Sequence, residues 1–537
     1  MKSLSSRFSR SIALATLYFA SVLFCSTAAQ AAHDMTVPKA KTPLGIKCEA
    51  LKDADLAGVP DAPTHIYSAK LVEASASKPT YCEVEGNVAP QVGILMWLPA
   101  ENWNGKFLEV GCGGFCGTLS FIALCEDPLR KGYACITTDM GHKGVEAEGV
   151  EWAYNNPQAV IDFAYRATHV TALAGKAIVQ SYYGRKPEKS YFIGCSCGGR
   201  QGLVEAERFP WDFDGIIVGA PGLNYTDIAL TFAHRARALY SKNGKYLFDA
   251  KSIKFVGDAV IAKCDMNDGV RDGQIGDPRV CRFNPRDYLC KSGSASDCLT
   301  QAQATALSSF YAEQKSASGD RIGDRAFLPG SEISFLGLVE NPIMKRSFYE
   351  DFFKYMGLVP NPGPKWKFED FDLNSDYKRL GMIQSLLQAD NPDLRRFKAA
   401  GGKLIFYHGW ADGGPSPLTS IDFYKTIERT MGGRASTEDF LRLFMVPDMD
   451  HCFGGNGAWS IDFLGHLEKW VEHGQAPDMM IGAHFSDNPM DPMFSKALDM
   501  TKAKFTRPVF PYPLRAQYKG AGDPNSASSF EAVGSEE

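Results

Sequence analysis

Five short apolar runs punctuate residues 92–218, and helix-period stretches separate the later ones. This alternation constrains the fold more than any other feature of the chain. The runs are Val92–Leu98, Phe107–Val110, Tyr133–Thr138, Tyr191–Ile193 and Phe213–Val218, and they read as buried strands. After Asn156-Pro157 a helical pattern puts Val160, Ile161, Ala164, Ala167, Val170, Leu173 and Ile178 on one face. Gly199 to Phe209 reads as the next helix. Strand, helix, strand, helix implies a parallel sheet covered on both faces. The pattern resumes with strands at Lys403–Tyr407 and Leu441–Val446 and a late helix from Phe463 to Val471. Between about 222 and 395 it is lost, so that stretch reads as an insertion in an α/β core. The core then has two parts, 32–221 and 396–537. Residues 32–65 are expected to be loop-rich, and the polar tail from about 519 to be frayed.

The chain has 537 residues, 45% apolar and 22% charged, which excludes a disordered chain, a collagen-like fibre and a coiled coil. A formal charge of −5 argues against nucleic acid as a partner. Lys2, Arg7 and Arg10 precede an apolar stretch from Ile12 to Phe24, and Ala29-Gln30-Ala31 reads as a cleavage site. Residues 1–31 are therefore expected to be a secretory signal peptide. Its removal shifts the formal charge from −5 to −8. Phe24 is too bulky for a lipoprotein site at Cys25, and no later stretch has the apolar length of a membrane span. A secreted or periplasmic protein is expected, without a membrane partner. Export meets an oxidising compartment, so the 13 cysteines left of 14 should largely pair, with one over.

Gly194-Cys195-Ser196-Cys197-Gly198 fits G-x-S-x-G between a predicted strand and a predicted helix. That context makes it a nucleophile elbow, a tight turn lifting a serine hydroxyl clear of the sheet. The pentad alone would also suit an ordinary glycine-rich turn. A serine near its free pKa needs a base and an orienting acid. In the α/β-hydrolase order both follow the serine. Asp412 follows the strand ending at Tyr407, in His408-Gly-Trp-Ala-Asp412, and His451 follows the strand ending at Val446. Asp448, Asp450 and His408 are the competing candidates. An oxyanion hole needs backbone N–H groups, one from Cys197 and one from an early strand's loop. Gly111–Gly117 follows Phe107–Val110 and offers Gly114, with Gly113 close behind. Cys264 to Gln274 packs three Asp and two Gly into its last ten residues. Oxygen ligands on a glycine turn suit Ca²⁺. Gly276 at position twelve excludes an EF-hand, and an exposed acidic turn is the plainer alternative.

With Thr138-Asp-Met-Gly-His142, Trp152–Val160 and Pro447–Gly455, these residues resemble the tannase and feruloyl esterase family, over nearly all the mature chain. Cys195 beside the serine and Cys452 beside the histidine make the likeness specific. The resemblance implies an α/β-hydrolase core with 222–395 as an inserted lid domain, and small esters of aromatic acids (feruloyl, galloyl or terephthaloyl) as substrates. It supports Ser196, Asp412 and His451 as a triad. It also implies a structural Ca²⁺ on Asp265, Asp268 and Asp272 side chains and the Val270 and Gln274 carbonyls. The family's C-terminal disulfide is missing, with Phe510 and about Ala532 in its place.

A working Ser–His pair brings Cys195 and Cys452 near disulfide range, so they are expected to bond. Proximity and the resemblance imply Cys48–Cys82, Cys264–Cys281 and Cys290–Cys298. Cys112–Cys197 and Cys116–Cys125 are weaker expectations, with Cys135 as the odd thiol. Phe335, Phe348, Phe352, Phe353, Tyr355 and Trp366 in the insertion are candidate aromatic walls, with Lys345, Arg346 and Lys354 as candidate anion partners. A catalytically silent binding protein, a serine peptidase and a redox or metal role for Cys195 and Cys197 are the competing readings.

Overall fold

The computed structural model describes residues 43–144, 149–291, 297–316, 319–340, 346–372, 375–485 and 499–534. The expected signal peptide, Cys25 and Lys345 lie outside them. Nine strands build one sheet: β1 (Thr64–Val72), β2 (Tyr81–Val88), β3 (Val92–Pro99), β4 (Lys106–Val110), β5 (Ala134–Thr138), β6 (Lys189–Cys195), β7 (Gly215–Gly219), β8 (Lys403–Gly409) and β9 (Leu441–Val446). Their order is β1-β2-β3-β5-β4-β6-β7-β8-β9. β1, β2, β3 and β5 pair antiparallel, and β5, β4, β6, β7, β8 and β9 pair parallel. This is an α/β-hydrolase arrangement, a mixed sheet with helices on both faces.

Both faces of the parallel strands are buried, and the alternation of side chains separates two cores. Phe192, Val218 and Phe406 join the core under helix Ala167–Tyr183. Tyr191, Ile193, Ile217 and Ile405 join the one under helix Phe463–His473, with Leu467 and Trp470. The long helical pattern holds with one interruption. Asn156 caps Pro157–Ile161 through Oδ1, accepting from the Ala159 amide at 3.2 Å. A π-turn at Asp162–Arg166 then leads into Ala167–Tyr183.

The chain leaves the sheet after Gly219 and returns at Lys403. Between them lie helices Tyr225–Ala238, Ala250–Cys264, Gln301–Phe310 and Glu332–Glu340 and several short turns. Two features differ from expectation. β1 and β2 form an antiparallel ribbon of mixed polar and apolar residues, one face of which is wet. The polar tail is not frayed over its described length: Phe530–Gly534 pairs antiparallel with Leu514–Tyr518. Buried Phe530 anchors it, stacked under the Arg507 guanidinium. No helix among the described residues is long and apolar enough to cross a membrane.

Candidate active site

β4 lies between β5 and β6, so the chain winds outward in both directions from β4 and β6. In such sheets the crevice beyond the carboxyl ends at the switch point receives ligands. Ser196 follows β6 there with φ 60° and ψ −120°, the strained conformation of an elbow. Its amide donates to the Gly219 carbonyl at 2.9 Å. The flanking glycines are sterically required. A Cβ on Gly194 would lie 2.5 Å from the Gly198 backbone, and one on Gly199 2.3 Å from the Gly219 oxygen. Ser196 is partly exposed at the head of helix Cys197–Arg208.

The loop after β4 lies against this turn. The Gly111 amide donates to the Ile193 carbonyl at 2.9 Å, and a Cβ on Gly198 would meet the Cys112 oxygen at 3.0 Å. Gly113 and Gly114 follow in a tight turn, closed by the Cys116 amide on the Gly113 carbonyl at 2.9 Å. The Tyr225 hydroxyl donates to the Gly114 carbonyl at 2.5 Å. Phe115 packs on Phe348 and Tyr225, with ring centroids 4.7 and 5.5 Å away. The inserted segment thus holds the loop from above, a contact that sequence gave no sign of.

Asp412 follows β8 and His451 follows β9. Asp412 is fully buried, and its Oδ2 meets His451 Nδ1 at 2.8 Å and His408 Nε2 at 3.0 Å. Its Oδ1 accepts the Gly414 amide at 2.6 Å. Burial alone would raise this carboxyl, but the two histidines outweigh it and hold it down at about 2. His408 Nδ1 in turn meets Ser420 Oγ at 2.8 Å. Of the competing residues, His408 therefore sits behind the acid rather than in front of it. Burial raises Asp450 to about 7, helped by the nearby Asp412 charge, and Asp448 to about 8.

Six disulfides form among the described residues. Cys195–Cys452 ties the elbow to the histidine loop with Cα atoms 5.8 Å apart. Cys48–Cys82, Cys264–Cys281 and Cys290–Cys298 also form. The other expected pairs do not. Cys112 bonds Cys116, and Cys125 bonds Cys135, so Cys135 is not the odd thiol. Cys197 is the cysteine outside these bonds. The sheet explains the correction. Cys112, Cys116 and Cys197 lie in one core and Cys125 and Cys135 in the other, so Cys116–Cys125 would have to cross it.

In the acidic loop, Asp265 Oδ1 accepts the Asp272 and Gly273 amides at 3.0 and 2.9 Å. Asp268 Oδ1 accepts the Val270 amide at 3.2 Å, and Asp272 Oδ1 the Gln274 amide at 3.1 Å. Arg507 pairs with Asp272 Oδ2, and Gln517 donates to the Asp268 carbonyl. A Cβ on Gly276 would lie 3.1 Å from Asp268 Oδ2, so glycine keeps the space beside that oxygen open. Of the aromatic candidates, Phe335, Phe348, Phe352 and Phe353 are buried. They pack on one another and on other rings of the insertion, as a core rather than an open wall. Tyr355 and Trp366 are half-buried. Arg346 is paired with Glu151 and Asp351, and Lys354 with Glu350.

A strained serine turn, a buried carboxylate bonded to a histidine and an α/β-hydrolase sheet define a hydrolase class. Comparison with known proteins makes this narrower. The family model for tannase and feruloyl esterase matches residues 76–342 and 365–533, and the chain belongs to that family. The mono(2-hydroxyethyl) terephthalate hydrolase of Piscinibacter sakaiensis is 31% identical over 561 residues, covering 90% of this chain and 91% of that protein. A probable feruloyl esterase B-2 of Neosartorya fischeri is 30% identical over 470 residues, covering 84% and 85%. The solved feruloyl esterase B from Aspergillus oryzae superposes with a TM-score of 0.79 at 27% identity, over 91% of this chain and all of that one. The protein is a carboxylic ester hydrolase.

Proposed function

We propose that the protein is an extracytoplasmic serine esterase that cleaves esters of aromatic carboxylic acids through an acyl-enzyme. Ser196 is the nucleophile. His451 takes its proton and later returns it to the leaving alcohol, and Asp412 fixes the imidazole tautomer and stabilises its charged form. The Cys197 and Gly114 amides receive the oxyanion. The observation that carries this reading is the bond between His451 Nδ1 and buried Asp412, with the Cys195–Cys452 staple bringing that histidine to the Ser196 turn. Relatives named for feruloyl and terephthalate esters favour an aromatic acyl group. Six disulfides favour an oxidising compartment.

The Asp265–Gln274 loop would hold one structural Ca²⁺ through Asp265, Asp268, Asp272 and the Val270 and Gln274 carbonyls. Three carboxylates face one paired cation, Arg507, so a divalent ion balances the remaining charge. Bound there, it would brace the insertion against the C-terminal strands and take no part in the chemistry.

A chromogenic phenyl ester, assayed with and without a serine-directed organophosphate, tests the enzyme reading. Full inhibition with phosphorylation of Ser196 is expected. Turnover that survives the organophosphate would reject it. A panel of gallate, ferulate, terephthalate and short aliphatic esters then tests the acyl group. Equal kcat/KM for aromatic and aliphatic esters would count against the aromatic preference.

A further inference from the structure

At the opposite end of the sheet a second histidine–carboxylate cluster is buried. His169 sits on helix Ala167–Tyr183, Glu205 on helix Cys197–Arg208, and Asp212 in the turn before β7. One donor atom from each lies within 4.8 Å of the other two. His169 Nδ1 meets Asp212 Oδ2 at 2.6 Å, and the ring is fixed by stacking on Phe209 with centroids 3.8 Å apart. Glu205 and Asp212 are buried to 0% and 2% exposure.

The cluster is short of donors. Neither carboxylate oxygen of Glu205 accepts from an N–H or hydroxyl, its one hydrogen-bond relation being with the neighbouring acid Asp212, and Oε2 of Glu109, a third buried acid within electrostatic reach, has no partner. Lys176 is the cation facing the group, and its ammonium donates to the Asp212 backbone carbonyl. Burial and their mutual repulsion lift Glu205 and Glu109 well above the usual carboxylate range, so protons stand in this dry interior where a cation could. Buried acceptors without donors are costly, and a divalent cation satisfies acceptors where no N–H or O–H can reach. A cleft of about 740 Å³, lined by Lys176, Ser190, Asp212 and Asp214 among others, leads from solvent to Asp212.

We propose that His169, Glu205 and Asp212 form a structural binding site for one borderline divalent transition-metal ion. One imidazole nitrogen with two carboxylate oxygens suits Zn²⁺ better than the hard ion of an all-oxygen loop. On binding, the proton between His169 Nδ1 and Asp212 and the carboxyl proton of Glu205 both leave to solvent, and the ion takes their place. The ion would tie the two helices flanking the elbow strand to the turn that opens β7. It lies at the amino end of the parallel strands, away from Ser196, so it would stabilise without entering the ester chemistry.

The test uses the full chain, stripped with chelator and returned to saturating Ca²⁺ so that the acidic loop stays filled. Calorimetric titration with Zn²⁺ is expected to give one site per chain and a rise in Tm. Glu205→Gln and His169→Ala should each weaken binding at least tenfold, with phenyl-ester turnover unchanged. Crystals soaked in Zn²⁺ should show an anomalous peak about 2.0–2.2 Å from the three donors. That measurement on the unaltered protein decides the matter if a variant fails to fold. Equal Zn²⁺ affinity in the parent and Glu205→Gln, or anomalous peaks at surface sites only, would overturn the proposal.

Discussion

Asp412 and Glu205 are both fully buried carboxylates close to a histidine, at opposite ends of one sheet, and they have opposite electrostatics. Asp412 receives His451, His408 and the Gly414 amide, and lies at about 2 in spite of its burial. Glu205 receives no donor, and burial lifts it well above the usual carboxylate range. Burial opposes charge at both places. The neighbours decide whether a carboxylate stays ionised there: two histidines beside Asp412, two further acids beside Glu205. A charged acid is what a histidine base needs behind it, so under the proposed mechanism the same residue types make a reaction centre at one end only.

The largest test of that contrast is catalytic. Asp412→Asn should lower kcat by about 10⁴-fold, because the amide no longer fixes the imidazole tautomer. Glu205→Gln should leave kcat unchanged. Comparable losses from both substitutions would erase the distinction between the two ends.

The elbow end is also covalently fastened. The Cys195–Cys452 bond closes 257 positions of sequence. The loop-entropy description gives about 5 kcal/mol for so long a loop, an upper figure. The double variant Cys195→Ala/Cys452→Ala should lose much of that in chemical denaturation and lose kcat as well, since a misplaced histidine costs rate directly. A variant with parental kcat and melting temperature would show that packing alone holds His451.

Local pattern made the elbow end of the sheet legible in the sequence. Gly194–Gly198 sits between an apolar strand and a helix, and chain order after the elbow singled out Asp412 and His451. The strands from β3 to β9 were readable because, fully buried, they form continuous apolar runs. β1 and β2 were not, because an antiparallel ribbon with one wet face mixes polar residues into its runs. The cysteine pairs went wrong where the sheet decides them. Nothing in the order of Cys112, Cys116, Cys125 and Cys135 tells which face each occupies. In sequence His408 competes as a base, but the β8 turn folds it back onto Asp412. The His169 cluster joins residues 36 and 43 positions apart on separate elements, beyond any local spacing rule.

The low value of Asp412 is also a stability statement. Its folded value, about 2, lies below the ordinary 3.8. Its contribution is therefore fully present above 3.8 and is lost as pH falls through 2. Two units correspond to about 2–3 kcal/mol. Asp412→Asn should show a flatter stability profile between these pH values than the parent, by denaturant midpoints. Superimposable profiles would mean that the histidines do not hold the charge. At the acidic loop, chelation should remove a comparable amount, about 2.7 kcal/mol if the ion is at a hundredfold its dissociation constant. Differential scanning calorimetry with elemental analysis checks it, and an unchanged Tm with no bound Ca²⁺ would reject the site.

The smallest effect concerns His408, which distinguishes a carboxylate with two histidine partners from the usual one. Its Nε2 lies 3.0 Å from Asp412 Oδ2 and 3.2 Å from the Pro415 carbonyl, both acceptors for its N–H. Ser420 Oγ at Nδ1 holds the ring in that orientation. Its contacts are Asp412, Pro415 and Ser420, so in the proposed mechanism it acts by positioning and charging Asp412. His408→Ala should lower kcat about tenfold, the order of one charge-assisted hydrogen bond, about 1.4 kcal/mol, with KM unchanged. The acid limb of the kcat profile, set by protonation of His451, should move to higher pH, because Asp412 then directs its charge at His451 alone and favours the imidazolium. His408→Gln, whose amide can donate to the same oxygen, should recover part of both effects. A purely structural role would raise KM or lower Tm without moving the acid limb, and Gln would then rescue no better than Ala.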